Sequence, residues 1–150
     1  MGKTTIQKMD MEDLDEVLLI ETSSALVPWS RNMFIEEMRN TFAFCFVVRK
    51  EDGSKQPLIG FICFRNIGAE SELLKICVHP NHRQLGVGKQ LMEFYMSFSR
   101  EKGIKIFYLE VYSSNQPAIR LYELFSYHPS GMRKNFYQGK FDALLMARKA

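Results

Sequence analysis

The chain has 150 residues, of which 46% are hydrophobic and 25% charged, with a formal net charge of +3. That length supports one domain, able to bury roughly two-thirds of its unfolded surface without a staple. No apolar run approaches the ~18 residues of a membrane helix, and no Lys/Arg run reaches the roughly five to eight of a nucleic-acid patch, so neither a membrane nor a nucleic acid is an expected partner.

The opening Met1-Gly2-Lys3-Thr4-Thr5-Ile6 has Ile6 where a myristoylation signal carries Ser or Thr. Charged and polar residues then interrupt any secretory leader, and a cytoplasmic location is expected, as a monomer or weak dimer. Cys45, Cys63 and Cys77 are odd in number and lack Cys or His partners at zinc spacing. They read as buried, reduced thiols, with no metal site.

In chain order, residues 4–9 form a short strand and Asp10 caps a helix whose Leu14, Val17 and Leu18 share a face, ending near Glu21. Residues 22–30 are polar and broken by Pro28. Ser30 is the expected N-cap of a second helix carrying Phe34, Ile35 and Met38, which leaves Trp29 on a loop. Residues 42–49 and 58–65 read as a hairpin around Asp52-Gly53. A strand over 72–78 feeds the glycine-rich turn Arg83-Gln84-Leu85-Gly86-Val87-Gly88. The helix after it presents Leu91, Met92, Tyr95 and Phe98 and stops at Gly103. Residues 105–111 are the next strand, parallel to the one before it. Asn115 or Gln116 then caps a short helix with Pro117 in its first turn and Ala118, Leu121, Tyr122 and Phe125 on one face. Strands over 132–137 and 141–147 close a hairpin around Gln138-Gly139.

The glycine turn lies between a strand and a helix, where backbone N–H groups and the helix dipole together hold a phosphate. It lacks the Lys-Ser/Thr ending of a P-loop and the third glycine of a dinucleotide fingerprint, and a plain turn with a helix cap stays open. Glu110 interrupts an apolar strand: it either faces a cleft as a general base or pairs with a neighbour at a strand end. Tyr122 is a core tyrosine or a proton donor, since a phenol near ~10 can protonate a thiolate whose acid is near ~8.5. His79 and His82 lack a third ligand and read as solvated turn histidines. Trp29, Phe136 and Tyr137 either pack or line a substrate groove.

Together these residues resemble the GNAT acetyltransferase family. Its glycine signature matches Arg83, Gly86 and Gly88, and its second signature matches Leu109-Glu110-Val111, Asn115, Ala118, Leu121 and Tyr122. The Pro28-Trp29-Ser30 loop with Phe34, and Arg133-Lys134-Asn135-Phe136-Tyr137, look like the branch that acetylates the N-terminal alanine of a ribosomal protein.

The resemblance implies an α/β (α+β) fold with a mixed, mostly antiparallel, twisted sheet of about seven strands and about four helices. The sheet would open between the two strands flanking the coenzyme. It also implies acetyl-CoA as donor and a primary amine, a protein N-terminus, as acceptor. Glu110 would be the general base and Tyr122 the general acid. Ile76, Cys77 and Val78 would hold the pantetheine arm, Arg83, Gln84, Leu85, Gly86, Val87, Gly88 and Lys89 the pyrophosphate, Asn115 a further coenzyme contact, and Trp29 and Tyr137 the acceptor. The family's Gly-Phe after the last helix is here Ser126-Tyr127, so that turn must form without glycine. An enzyme of this family acting on a small amine, a polyamine or a lysine is the alternative, and a non-catalytic acyl-CoA-binding module a second one.

Overall fold

A computed structural model describes residues 3–137 and 139–150, with Tyr137 described in its backbone alone. Met1, Gly2, Gln138 of the final hairpin, and the Tyr137 side chain, expected to meet the acceptor, lie outside the described residues. The elements run β1 (Thr4–Lys8), α1 (Leu14–Ser24), α2 (Arg31–Arg39), β2 (Ala43–Lys50), β3 (Leu58–Ile67), β4 (Glu70–Val78), α3 (Val87–Glu101), β5 (Ile106–Tyr112), α4 (Gln116–Leu124), β6 (His128–Tyr137) and β7 (Phe141–Lys149). The strands form one seven-stranded sheet in the order β1-β2-β3-β4-β5-β7-β6. β4 and β5 are parallel, while β1–β2, β5–β7 and β6–β7 are antiparallel, so the sheet is mixed as expected.

The packing gathers into two compact units: the chain up to Phe64 with Lys75–Leu91, and Arg65–Leu74 with Met92–Ala150. In the first, every residue of β3 from Leu58 to Phe64 is buried, the pattern of a strand covered on both faces. Phe34 of α2 meets Phe61 edge-on at 5.6 Å between ring centroids, and Leu14, Val17 and Ile20 bury one face of α1. Asp10 builds a capping box with Asp13 around a short 3-10 turn, and Asp13 and Glu16 both grip Arg49 of β2, at 2.6 and 3.0 Å. The helix runs three residues beyond Glu21, because Glu21 sits buried on its inner face and the Thr22 hydroxyl donates back to the Leu18 carbonyl at 2.9 Å.

In the second unit the described β4–β5 register runs from Glu70–Ile106 to Leu73–Leu109, and β5 stays paired with β7 as far as Tyr112–Ala143. Tyr95 of α3 packs edge-on against Phe107, 5.5 Å between centroids, and its hydroxyl lies 2.5 Å from Ser71 Oγ. That bond explains why β4 begins at Glu70 rather than Glu72: Ser71 is a buried, partnered position inside the strand. β6 begins at His128, four residues earlier than expected, and as an edge strand it accommodates Pro129. α4 ends with Ser126 at φ 65°, its N–H on the Glu123 carbonyl and the Tyr127 N–H on the Tyr122 carbonyl. The glycine-free turn is thus a left-handed serine.

Candidate active site

In the first unit the glycine turn is shaped by two left-handed residues, Gln84 at φ 62° and Gly86 at φ 84°. Gly86 caps α3, its carbonyl taking the Gln90 N–H at 2.9 Å, while Val87 is buried and anchors the first turn. The N–H groups that open such a helix have no carbonyl within it and are available to an anion. Gln84, Leu85 and Lys89 are exposed and Gly88 half-buried. The Arg83 guanidinium turns back, donating to the Val78 carbonyl (Nε, 3.2 Å) and to Ser24 Oγ (2.8 Å), and so ties the turn to the end of β4 and to α1.

Ile76, Cys77 and Val78 close β4 as half-buried residues, with Cys77 more accessible than the core thiols Cys45 and Cys63. Gly60 of β3 lets this strand end come close: a Cβ there would stand 2.9 Å from the Cys77 carbonyl oxygen and 3.4 Å from Val87. Beneath the strand lies a polar cluster that the sequence reading did not single out. The Glu21 carboxylate, with 0% side-chain exposure, meets Lys75 Nζ at 2.5 Å and accepts the Trp29 backbone N–H at 2.8 Å. Lys75, 13% exposed, also lies 4.9 Å from the centroid of the Trp29 ring. Trp29 is half-buried and packs edge-on against Phe34 at 5.1 Å. Burial, then the neighbouring Glu21 anion, push the Cys77 thiol up to about 12. The signal for the cluster was Glu21 itself, an acid in register with Val17 and Ile20 on an apolar helix face.

His82 departs from expectation. Its Nδ1 is buried without a hydrogen-bond partner among the described residues, and burial, then the nearby His79, hold the ring below the usual imidazole range. Among the described residues no group of three or more His, Cys, Asp or Glu side chains could hold a metal.

In the second unit Glu110 of β5 lines a cavity of about 630 Å³ together with Arg65, Glu70, Tyr108, Arg133 and Leu145. Its side chain is 23% exposed, and its Oε1 lies 3.5 Å from Arg133 Nη1. That separation exceeds ordinary N–H···O range, so Glu110 faces the cavity with a loose ionic neighbour. Asn115 caps α4, its Oδ1 accepting the Ala118 N–H at 3.3 Å. Tyr122 is 7% exposed, its ring 5.9 Å from that of Tyr127, whose hydroxyl burial pushes well above the usual phenol range.

The model of the acetyltransferase (GNAT) family matches residues 11–127. The chain belongs to the GNAT family. A Bacillus subtilis (strain 168) protein, provisionally named a [ribosomal protein bS18]-alanine N-acetyltransferase, is 34% identical over 96% of this chain and 94% of its own length. The Escherichia coli (strain K12) [ribosomal protein bS18]-alanine N-acetyltransferase is 27% identical over 95% of each chain. The crystal structure of the ribosomal-protein-S18-alanine N-acetyltransferase from Escherichia coli superposes with a TM-score of 0.86 at 27% identity, covering 98% of this chain and 94% of that one. As a GNAT member the chain is an N-acetyltransferase with acetyl-CoA as donor.

The residues present fit that donor. Adding a Cβ to Gly86 meets nothing within 4 Å, so the glycine serves its left-handed conformation, and an open helix N-terminus follows. Its exposed backbone suits a pyrophosphate. When bound, acetyl-CoA supplies an acetyl group activated as a thioester. No described helix is long and apolar enough to cross a membrane.

Proposed function

We propose that this GNAT enzyme acetylates the N-terminal alanine of a ribosomal protein of the bS18 type, with Glu110 as general base and Tyr122 as general acid. The observation that carries the reading is the Glu110 carboxylate: three-quarters buried, facing a cavity, and accepting no hydrogen bond from any described residue. A desolvated carboxylate normally has its acceptor sites filled, so an open one beside a cavity is suited to an amine N–H. The substrate class rests on the names of the Bacillus and Escherichia relatives, which match nearly the whole chain.

Glu110 accepts a proton from the amine; a terminal α-amine, ordinarily near ~7.7–8, asks less of a carboxylate than a lysine near ~10.4. Tyr122 donates its hydroxyl proton to the departing sulfur. Arg83, through the Val78 carbonyl, keeps the end of β4 in register with the glycine turn, and Ile76–Val78 with residues 84–89 hold the donor.

The test incubates the protein with acetyl-CoA and a mixed panel of N-terminal alanine peptides, lysine peptides and polyamines, read by mass spectrometry. Acetylation of alanine N-termini is expected; acetylation confined to polyamines or lysines would end the ribosomal reading. Glu110→Gln and Tyr122→Phe should each cut turnover by about 10²–10⁴-fold with acetyl-CoA affinity retained, and near-wild-type rates in both would remove the assigned roles.

A further inference from the structure

Beside Glu110 stands a charged group whose hydrogen-bonding capacity is unspent. Arg133 is 55% exposed and lies on the edge strand β6 as register partner of Ala143. Its described contacts are the Glu110 carboxylate, at 3.5 Å and outside hydrogen-bond geometry, and the Phe136 ring, whose centroid is 5.2 Å from Cζ. A guanidinium has five N–H donors, and none of these is engaged by a described residue. Both charged groups line the same cavity.

The local backbone explains the arrangement. In a regular strand residues 133 and 136 point to opposite faces. Here the register shifts between Arg133 and Tyr137, Asn135 takes φ 53°, and its N–H is pinned to Asp142 Oδ1 at 2.9 Å. That irregularity brings the Phe136 ring over the Arg133 guanidinium, and the ring face and the Glu110 anion together orient a side chain that would otherwise move freely.

We propose that Arg133 binds the main-chain carbonyl of the acceptor's first residue, and thereby selects α-amines over other amines. The inference rests on the reading of Glu110 as the base. When an α-amine hydrogen-bonds to Glu110, the carbonyl carbon of the same residue lies two bonds away, and its oxygen falls within reach of a guanidinium already beside the carboxylate. A lysine side chain or a polyamine presents only methylene groups there, leaving the guanidinium donors unmatched. A site built to hydrogen-bond a substrate group rejects analogues lacking it. Because Arg133 is half-exposed, water softens the effect, and a factor of about tenfold is expected, the lower end for a charge-assisted hydrogen bond.

The experiment uses the full chain, saturating acetyl-CoA and two acceptors: an alanine-initiated peptide, and the same peptide with its first amide replaced by an (E)-alkene, which keeps shape and amine but removes the carbonyl. In the wild type the alkene peptide should have a kcat/KM lower by about tenfold. In Arg133→Met the gap between the two peptides should close to within about twofold, the residue expected once that hydrogen bond is gone. Arg133→Gln repeats the measurement on a second background, with thermal melts confirming that both variants fold. A full gap persisting in either folded variant, or no gap in the wild type, would overturn the assignment. Failure of the base reading is separable: Glu110→Gln acting at wild-type rate on the natural peptide would remove the base, while the gap would still report on Arg133.

Discussion

Replacing Glu21 by glutamine should leave a cation without its anion inside the first unit. The Trp29 N–H and Lys75 Nζ both meet the same carboxylate oxygen, Oε2, at 2.8 and 2.5 Å, while Oε1 faces Cys77 Sγ at 3.7 Å, so the amide can keep an oxygen for the first two but carries no charge to offset Lys75. Removing one partner of a buried pair costs about 3–5 kcal/mol. Lys75 retains 13% exposure and the face of Trp29, so we take the lower end, about 3 kcal/mol, for Glu21→Gln. At about 2–4 °C per kcal/mol for a chain of this size, the melting temperature should fall by about 6–12 °C. Glu21→Gln with Lys75→Met should recover more than half of that loss, because no charge is left stranded and the thioether can lie on the indole ring. Calorimetry on the wild type, both single variants and the double variant checks this. Should Glu21→Gln melt within 2 °C of wild type, or the double variant melt lower than Glu21→Gln, the pair is not a coupled buried charge pair and the reasoning fails.

Ser126→Gly relieves a left-handed non-glycine residue, and we expect a gain of about 0.5–1 kcal/mol after the entropy of the freer unfolded chain is set against it; an unchanged or lower melting temperature would count against strain at that turn. Gly60→Ala would press a methyl group on the Cys77 carbonyl, costing about 1–3 kcal/mol and weakening acetyl-CoA binding by titration calorimetry. Unaltered stability would show that β4 yields without cost. Cys77 is raised to about 12 in the folded protein, so it keeps its proton where the unfolded chain releases it. Its contribution is fully present below the unfolded thiol value near ~8.5 and is lost as pH rises toward the folded one. Cys77→Val should therefore flatten the alkaline fall in stability between about pH 9 and 10, before tyrosines titrate; identical slopes in denaturant titrations would contradict this.

The order of strands and helices was legible because periodicity and punctuation agree: Ser30 and Asn115 cap the helices they were expected to cap, while Asp10 caps the short 3-10 turn that leads into α1 rather than α1 itself, whose N-cap is Asp13. Element ends were less legible where a polar residue is buried with a partner. Ser71 looks like loop until its bond to Tyr95 is known, and Glu21 looks like a terminus until its inward partners are known. The glycine turn and Glu110 stood out because each breaks a local pattern. Arg133 was named only within the stretch that carries the branch resemblance, with no place in the site, since its pairing with Glu110 across non-adjacent strands, and the irregular register that sets Phe136 against it, depend on tertiary structure that no local spacing encodes. The placement of Trp29 rests likewise on a backbone hydrogen bond to a side chain eight residues earlier.

Gln84 and Ser126 share a backbone conformation but not a consequence. At Ser126 the left-handed turn merely ends a helix. At Gln84 it lies two residues before the glycine that caps α3, and such a conformation costs a non-glycine residue about 1–2 kcal/mol during folding. That cost is met before any donor arrives. With the loop holding the coenzyme as proposed, less of the binding free energy goes into ordering it, which is the thermodynamic meaning of preorganisation. Gln84→Gly would make the folded chain easier to reach and leave more of the ordering of the proposed anion site to its ligand, so stability and affinity pull in opposite directions at a single residue.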